Sequence, residues 1–147
     1  MTQEDSIHFR ILNEIGIINQ LAQSIFERVM PEGMTLAQFT VLNHFVRLGG
    51  VRSPAELAQA FQVTRGTMTS TLQKLEMKGL IAIDPDPKDG RSKHVSLTAQ
   101  GRSMRHQCIR RLEPEIKRLS ELWPLKEAAP LLKPLGTLRA LLDRVRD

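Results

Sequence analysis

Tyrosine is absent from this 147-residue chain, and tryptophan and cysteine occur once each. A lone cysteine, Cys108, cannot close an internal disulfide, so a disulfide-stapled scaffold is excluded and the reducing cytosol is the expected compartment. With so few aromatics the core must rest on Leu, Ile, Val and Met, which favours helices. No apolar run reaches the roughly 20 residues a membrane helix needs. The opening Met1-Thr2-Gln3-Glu4-Asp5 is acidic with no secretory apolar region after it, so no signal peptide is expected. Repeats and low-complexity tracts are missing.

Chemistry is sparse as well. No Gly-rich phosphate loop, paired-carboxylate motif or local Ser/His/Asp or Cys/His set occurs, so no catalytic residue is expected. His8, His44, His94 and His106-Gln107-Cys108 lack metal-ligand spacing, and neither a metal nor another cofactor is expected. Cys108 reads as a small buried thiol. What remains is a formal net charge of +5, which suits a polyanionic partner but is common among proteins that have none.

The stretch from Ser53 to Thr98 carries the organisation. Ser53-Pro54-Ala55-Glu56 has the form of a capping box with proline at the first helical position, and Leu57, Ala58 and Phe61 give the short helix an apolar side. Phe61-Gln62-Val63 reads as a tight turn and Thr64 as the cap of a second helix over about 65–78. Met68, Leu72 and Leu75 share one face of it. Gly66, Ser70, Gln73 and Lys74 lie opposite, flanked by Thr67 and Thr69. The polar face has little Glu; small hydroxyls admit close approach to phosphates and base edges, Gln can pair with adenine, and Lys or Arg with guanine or phosphate. Alone, the helix is equally compatible with a plain amphipathic surface helix.

Gly79 ends that helix. Leu80-Ile81-Ala82-Ile83 and Lys93-His94-Val95-Ser96-Leu97 read as paired strands around a tip of two prolines, one glycine and three aspartates. Lys88, Arg91 and Lys93 suit a narrow minor groove, and Asp89 is expected to hold Arg91 by a fork-like ion pair. Standing alone, the loop is also compatible with a solvated surface turn. Helix, turn, helix and hairpin together read as a winged helix-turn-helix, a shape that sets one helix and one loop against duplex DNA.

Thr64-Arg65-Gly66-Thr67-Met68-Thr69, the exit Leu75-Glu76-Met77-Lys78-Gly79-Leu80-Ile81, the tip Asp89-Gly90-Arg91 and the restart Leu97-Thr98-Ala99-Gln100-Gly101 resemble the core of the MarR family of transcriptional regulators. The resemblance implies a homodimer, repressor or activator, with the second helix in the major groove and the wing in the minor groove of a pseudo-palindromic operator. It maps the family's wing pair onto Asp89 and Arg91, and implies release by phenolic or other amphipathic compounds. An effector pocket is then expected between dimer and DNA-binding lobes, lined by Ile15, Ile18, Phe39, Asn43 and Met68. The chain departs from the family in having Ala82-Ile83 where an Arg commonly follows, Gly90 before the wing Arg, and no N-terminal redox cysteine.

The flanks are helical. Ile7, Ile11, Ile15, Ile18, Leu21, Ile25 and Val29 recur at three- and four-residue steps over about 5–29, closed by Pro31-Glu32-Gly33. Thr35-Leu36-Ala37-Gln38 reads as a second capping box, opening a support helix that stops at Gly49-Gly50; Thr35 and Ser53 are expected to point helix N-termini toward the DNA backbone. Thr98 should cap a basic helix that ends at Trp123-Pro124, and Pro130 and Pro134 complicate the start of a last apolar helix that continues through Leu135, Leu138, Leu141, Leu142 and Val145. Both terminal segments are too apolar for lone surface helices. Burial against each other and a second copy solves this, as does an intramolecular helical core.

The fold class expected is mainly α with a small β-hairpin wing (α+β): 1–34 and 99–147 as dimerisation helices, 35–98 as the winged helix-turn-helix. The function expected is a cytoplasmic, homodimeric, sequence-specific regulator of transcription, with double-stranded DNA, itself and a small-molecule effector as partners. Ser53, Arg65, Thr67, Thr69, Ser70, Gln73, Lys74, Asp89, Arg91 and Lys93 are the expected DNA contacts. A winged helix that docks protein and a nonspecific architectural DNA binder are the alternatives.

Overall fold

The computed structural model describes residues 5–146, so the reading of Met1-Thr2-Gln3-Glu4 lies outside the described residues. The elements follow in the order α1 (Ile7–Val29), α2 (Leu36–Leu48), α3 (Pro54–Ala60), α4 (Arg65–Met77), β1 (Ile81–Pro85), β2 (Lys93–Leu97), α5 (Ala99–Leu122) and α6 (Leu125–Val145). The chain divides into two compact units with the boundary after Leu112, inside α5.

In the first unit, α2, α3 and α4 close around Leu42, Phe45, Leu57, Leu72 and Leu75, all essentially without solvent contact. Each such side chain contributes about 1.5–3 kcal/mol by leaving water. Val95 of β2 and Cys108 of α5 complete this core. The tilted pair Phe26–Phe39, centroids 5.6 Å apart, brings the end of α1 onto α2. Burial pushes the Cys108 thiol up, so it stays protonated and packs as an apolar group.

Capping follows the sequence closely, with one exception. Ser6, Thr35, Ser53 and Thr64 each accept from a backbone N–H three residues on. At α3 the box is complete, since Glu56 Oε1 also accepts from the Ser53 N–H. At α2 only half of it forms. Gln38 is buried and its Oε1 accepts from Lys78 Nζ at 2.7 Å rather than from the Thr35 N–H. The same ammonium donates to the Gly33 carbonyl, so Lys78 ties the exit of α4 to the α1–α2 connection.

β1 and β2 pair antiparallel with Ile83 opposite Val95 and Pro85 opposite Lys93. The first strand thus starts one residue later and runs two residues further than the apolar run indicated; Pro85 is tolerated at this edge position because no ladder N–H is needed there. Arg52 and Val95 exchange both backbone hydrogen bonds, at 3.1 and 2.8 Å, and so pin the entry of α3 to the hairpin.

Thr98 joins three elements. Its hydroxyl donates to the Gly79 carbonyl at 2.7 Å and accepts from the Gly101 N–H at 3.0 Å. Gly79 has φ +73°, the left-handed conformation that ends α4. Gly101 is buried, and a Cβ there would lie 2.0 Å from the Leu80 carbonyl oxygen.

In the second unit, α6 begins after Pro124 and continues through Pro130 and Pro134. The two prolines expected to complicate its start are carried inside the helix, at the loss of the backbone hydrogen bond that each missing N–H would have made. Among the described residues, no helix is long and apolar enough to cross a membrane.

Candidate nucleic-acid interface

The α3–α4 turn is held by its own backbone. The Phe61 N–H donates to the Leu57 carbonyl and the Val63 N–H to the Ala58 carbonyl, both at 3.0 Å. Gln62 between them takes φ +53°, a left-handed conformation costing a non-glycine residue about 1 kcal/mol. Phe61 packs edge-on against His44, centroids 5.0 Å apart. Burial first, then the charges of Arg52 and Arg47, push His44 down, so this support for the turn is a neutral ring at neutral pH.

With Met68, Leu72 and Leu75 anchored in the core, the opposite face of α4 has to point outward. Arg65, Thr67, Thr69, Ser70, Gln73 and Lys74 are all exposed. Among the described residues, the side chains of Arg65, Thr69, Ser70, Gln73 and Lys74 have no hydrogen-bond or ion-pair partner. Thr67 Oγ1 accepts from Thr64 Oγ1 at 2.9 Å, which sets the first turn. Ser53 is half-buried, its hydroxyl engaged in the α3 cap.

The wing tip is an ordered polar loop. Asp86 Oδ1 accepts from the Lys88 N–H at 2.8 Å, and Asp86 Oδ2 meets His94 Nε2 at 3.1 Å. The Lys88 N–H is the main reason the Asp86 carboxyl lies below the usual carboxylate range. Asp89 departs from expectation: its Oδ1 accepts from the backbone N–H of Arg91 at 3.0 Å and makes no fork with the guanidinium. Its Oδ2 accepts from the Ser92 hydroxyl at 3.4 Å, so both carboxylate oxygens are engaged within the turn and Asp89 shapes the loop locally. The Arg91 guanidinium is left exposed and free of any ion pair among the described residues, and Lys93 is exposed beside it.

The expected effector lining is dispersed. Phe39 is buried in the α1–α2 contact, Asn43 accepts from Arg105 Nε at 3.1 Å, Ile15 is half-buried and Ile18 is exposed on α1. Of these five, only Met68 borders a cleft of about 420 Å³ between α1, α2, the α3–α4 turn and α4. Glu27, Thr40, Phe61, Thr67 and Thr71 also border it. Sequence reasoning did not assign them to a pocket because the cleft forms only where α1, α2 and α4 meet, mixing Glu27, Thr40 and Thr71 with Leu36, Val41, Phe61 and Val63. The one available signal was threonine at one-turn spacing, Thr67 and Thr71. Among the described residues, no three His, Cys, Asp or Glu side chains converge to hold a metal ion.

A buried support helix, a turn, a helix with a free polar face, and a hairpin carrying an unpaired arginine define a winged helix-turn-helix DNA-binding protein. Comparison with known proteins narrows this. Residues 32–92 match the model of the MarR family. Over 98 residues the chain is 34% identical to the multiple antibiotic resistance protein MarR of Salmonella typhimurium, spanning 66% of this chain and 67% of that protein. It is 34% identical over 94 residues to an HTH-type transcriptional repressor of Mycobacterium tuberculosis, spanning 64% of this chain and 66% of that protein. A crystal structure of a mutant MarR from Escherichia coli complexed with operator DNA aligns with TM-score 0.70 at 27% identity, over 91% of this chain and 99% of that one. The chain belongs to the MarR family, whose members are transcription regulators.

Proposed function

We propose that the chain represses transcription in the cytoplasm as a homodimer on a pseudo-palindromic operator. The observation that carries this is the face of α4 from Arg65 to Lys74, exposed and, Thr67 apart, without side-chain partners among the described residues. Arg65, Thr67, Thr69, Ser70, Gln73 and Lys74 face base edges and phosphates of the major groove. Arg91 enters the minor groove, positioned by the Asp89 main-chain contact and flanked by Lys93. Ser53 offers the entry of α3 to a phosphate.

Residues 35–98 do the reading, and 1–34 and 99–147 pair the chains. Support for pairing comes from apolar surface left open on each terminal element. On α1, Leu21 is 63% exposed, with Ile7, Ile11 and Ile18 also open; on α6, Leu132 is 75% exposed, with Leu125, Leu142 and Val145 also open. Surface of this kind is characteristic of subunit interfaces. The cleft against α4 supports control by a small amphipathic effector, because an occupant would bear on the first turns of the reading helix.

Selection of bound fragments from the source genome tests the proposal. The expected result is one pseudo-palindrome with half-sites one helical turn apart, bound with steep salt dependence. Binding without a preferred site indicates an architectural role. Binding insensitive to salt, or none, indicates a protein-docking module.

A further inference from the structure

We infer that the cleft beside α4 selects a cationic amphiphile, a protonated amine or amidine on an aromatic or alkyl body, rather than an aromatic acid. The inference rests on the effector reading above and gives it a chemistry. Among the described residues, no Lys, Arg or His lines the cleft, and the one charged side chain that does is Glu27, from α1. The hydroxyls that line it are oriented by the helices that carry them. Thr40 Oγ1 donates to the Leu36 carbonyl at 2.8 Å and Thr71 Oγ1 to the Thr67 carbonyl at 3.2 Å. With their protons spent on the backbone, these two oxygens offer only lone pairs to an occupant. Thr67 Oγ1, already accepting from Thr64, has one proton left to give.

The polar inventory is therefore a carboxylate, two hydroxyl acceptors and one hydroxyl donor, with the side-chain amide of Gln23 able to serve either way. The apolar inventory is Leu36, Ala37, Val41, Phe61, Val63 and Met68, with the Phe61 ring able to meet a cation. An aromatic carboxylate entering this cleft meets a like charge and no basic partner, and would lose water without replacement. An ammonium meets acceptors and an anion. The contact reaches the DNA site through one residue: Thr67 borders the cleft and also lies in the first turn of α4, on the face proposed to read DNA.

Three probes with one aromatic body separate the possibilities: 1-naphthylmethylamine, 1-naphthalenemethanol and 1-naphthoate. Direct binding is measured by titration calorimetry, and operator release by fluorescence anisotropy, with wild type and Glu27→Gln. The amine is expected to bind about twofold to fivefold tighter than the neutral alcohol, the upper range of an exposed ion pair, and naphthoate weakest. Glu27→Gln should remove the advantage of the amine and leave the alcohol unchanged. Naphthoate binding as tightly as the amine, an amine preference that survives Glu27→Gln, or no binding by any of the three overturns the inference. Amine binding that depends on Glu27 but leaves the operator complex intact keeps the ligand chemistry and removes the effector reading instead.

Discussion

Gly101→Ala should strongly destabilise this protein, although the residue lies outside the surface proposed to read DNA. The added Cβ would sit 2.0 Å from the Leu80 carbonyl oxygen and 2.7 Å from Leu97 Cδ1. Ordinary contact begins near about 3.5 Å, so backbone on one side must retreat by roughly 1.5 Å. The Leu80 carbonyl cannot yield freely, because it accepts from the Thr98 N–H and leads directly into β1. Retreat also strains the Thr98 hydroxyl, which bridges the Gly79 carbonyl and the Gly101 N–H. Overpacking of this kind costs about 1–3 kcal/mol and two weakened hydrogen bonds about 1 kcal/mol each, so about 3–5 kcal/mol is expected. Against a typical stability of about 5–15 kcal/mol, this lowers the urea midpoint by roughly 2 M. Urea denaturation followed by circular dichroism, at one fixed protein concentration, measures it. A midpoint within about 0.5 M of wild type would refute the reasoning, because the close approach would then be relieved at little cost.

Other expectations are independent of that one. Arg91→Ala should weaken operator binding by about 1–3 kcal/mol and make the salt slope shallower by about one, with an unchanged melting curve; equal affinity at fixed salt removes the wing contact. Ser53→Ala breaks the complete capping box of α3 and should destabilise the fold by about 1 kcal/mol in the same urea assay, whereas an unchanged midpoint shows the cap to be dispensable. The Asp86 carboxyl is held below its ordinary range, chiefly by the Lys88 N–H, so the folded wing favours its ionised form. The ordering it provides is complete above the ordinary carboxylate value of about 3.9 and is lost only as pH falls through the lower folded value. The Lys88 amide resonance followed by NMR should therefore titrate below that value, and a midpoint at or above it contradicts the hydrogen bond.

Much of the fold was legible because its signals are local. Ser53, Thr64 and Thr98 cap the helices they precede, Gly79 takes the positive φ that its place after α4 demands, and Met68, Leu72 and Leu75 mark the buried face within a single helix. Each is decided by residues three or four positions apart. What was not legible depends on distant partners. Gln38 abandons its own cap for Lys78, forty positions on, and Arg52 pairs with Val95 to fasten α3 to the wing. Asp89 turns to the main chain, where the sequence suggested a guanidinium fork. Of the expected pocket residues only Met68 borders the cleft, since the other walls are set by how α1, α2 and α4 meet. The polar face of α4 is the intermediate case: its composition was plain, but only the tertiary structure leaves it without partners.

The central claim is that two copies of this face read one duplex. Dimethyl sulfate footprinting of the selected operator tests it directly, because guanine N7 lies in the major groove. Protection should fall in two successive major grooves on one side of the duplex, centred about 10 base pairs apart, and disappear together when Gln73 and Lys74 are both replaced by alanine. Protection confined to a single groove, or a pattern unchanged by that double substitution, would contradict the account.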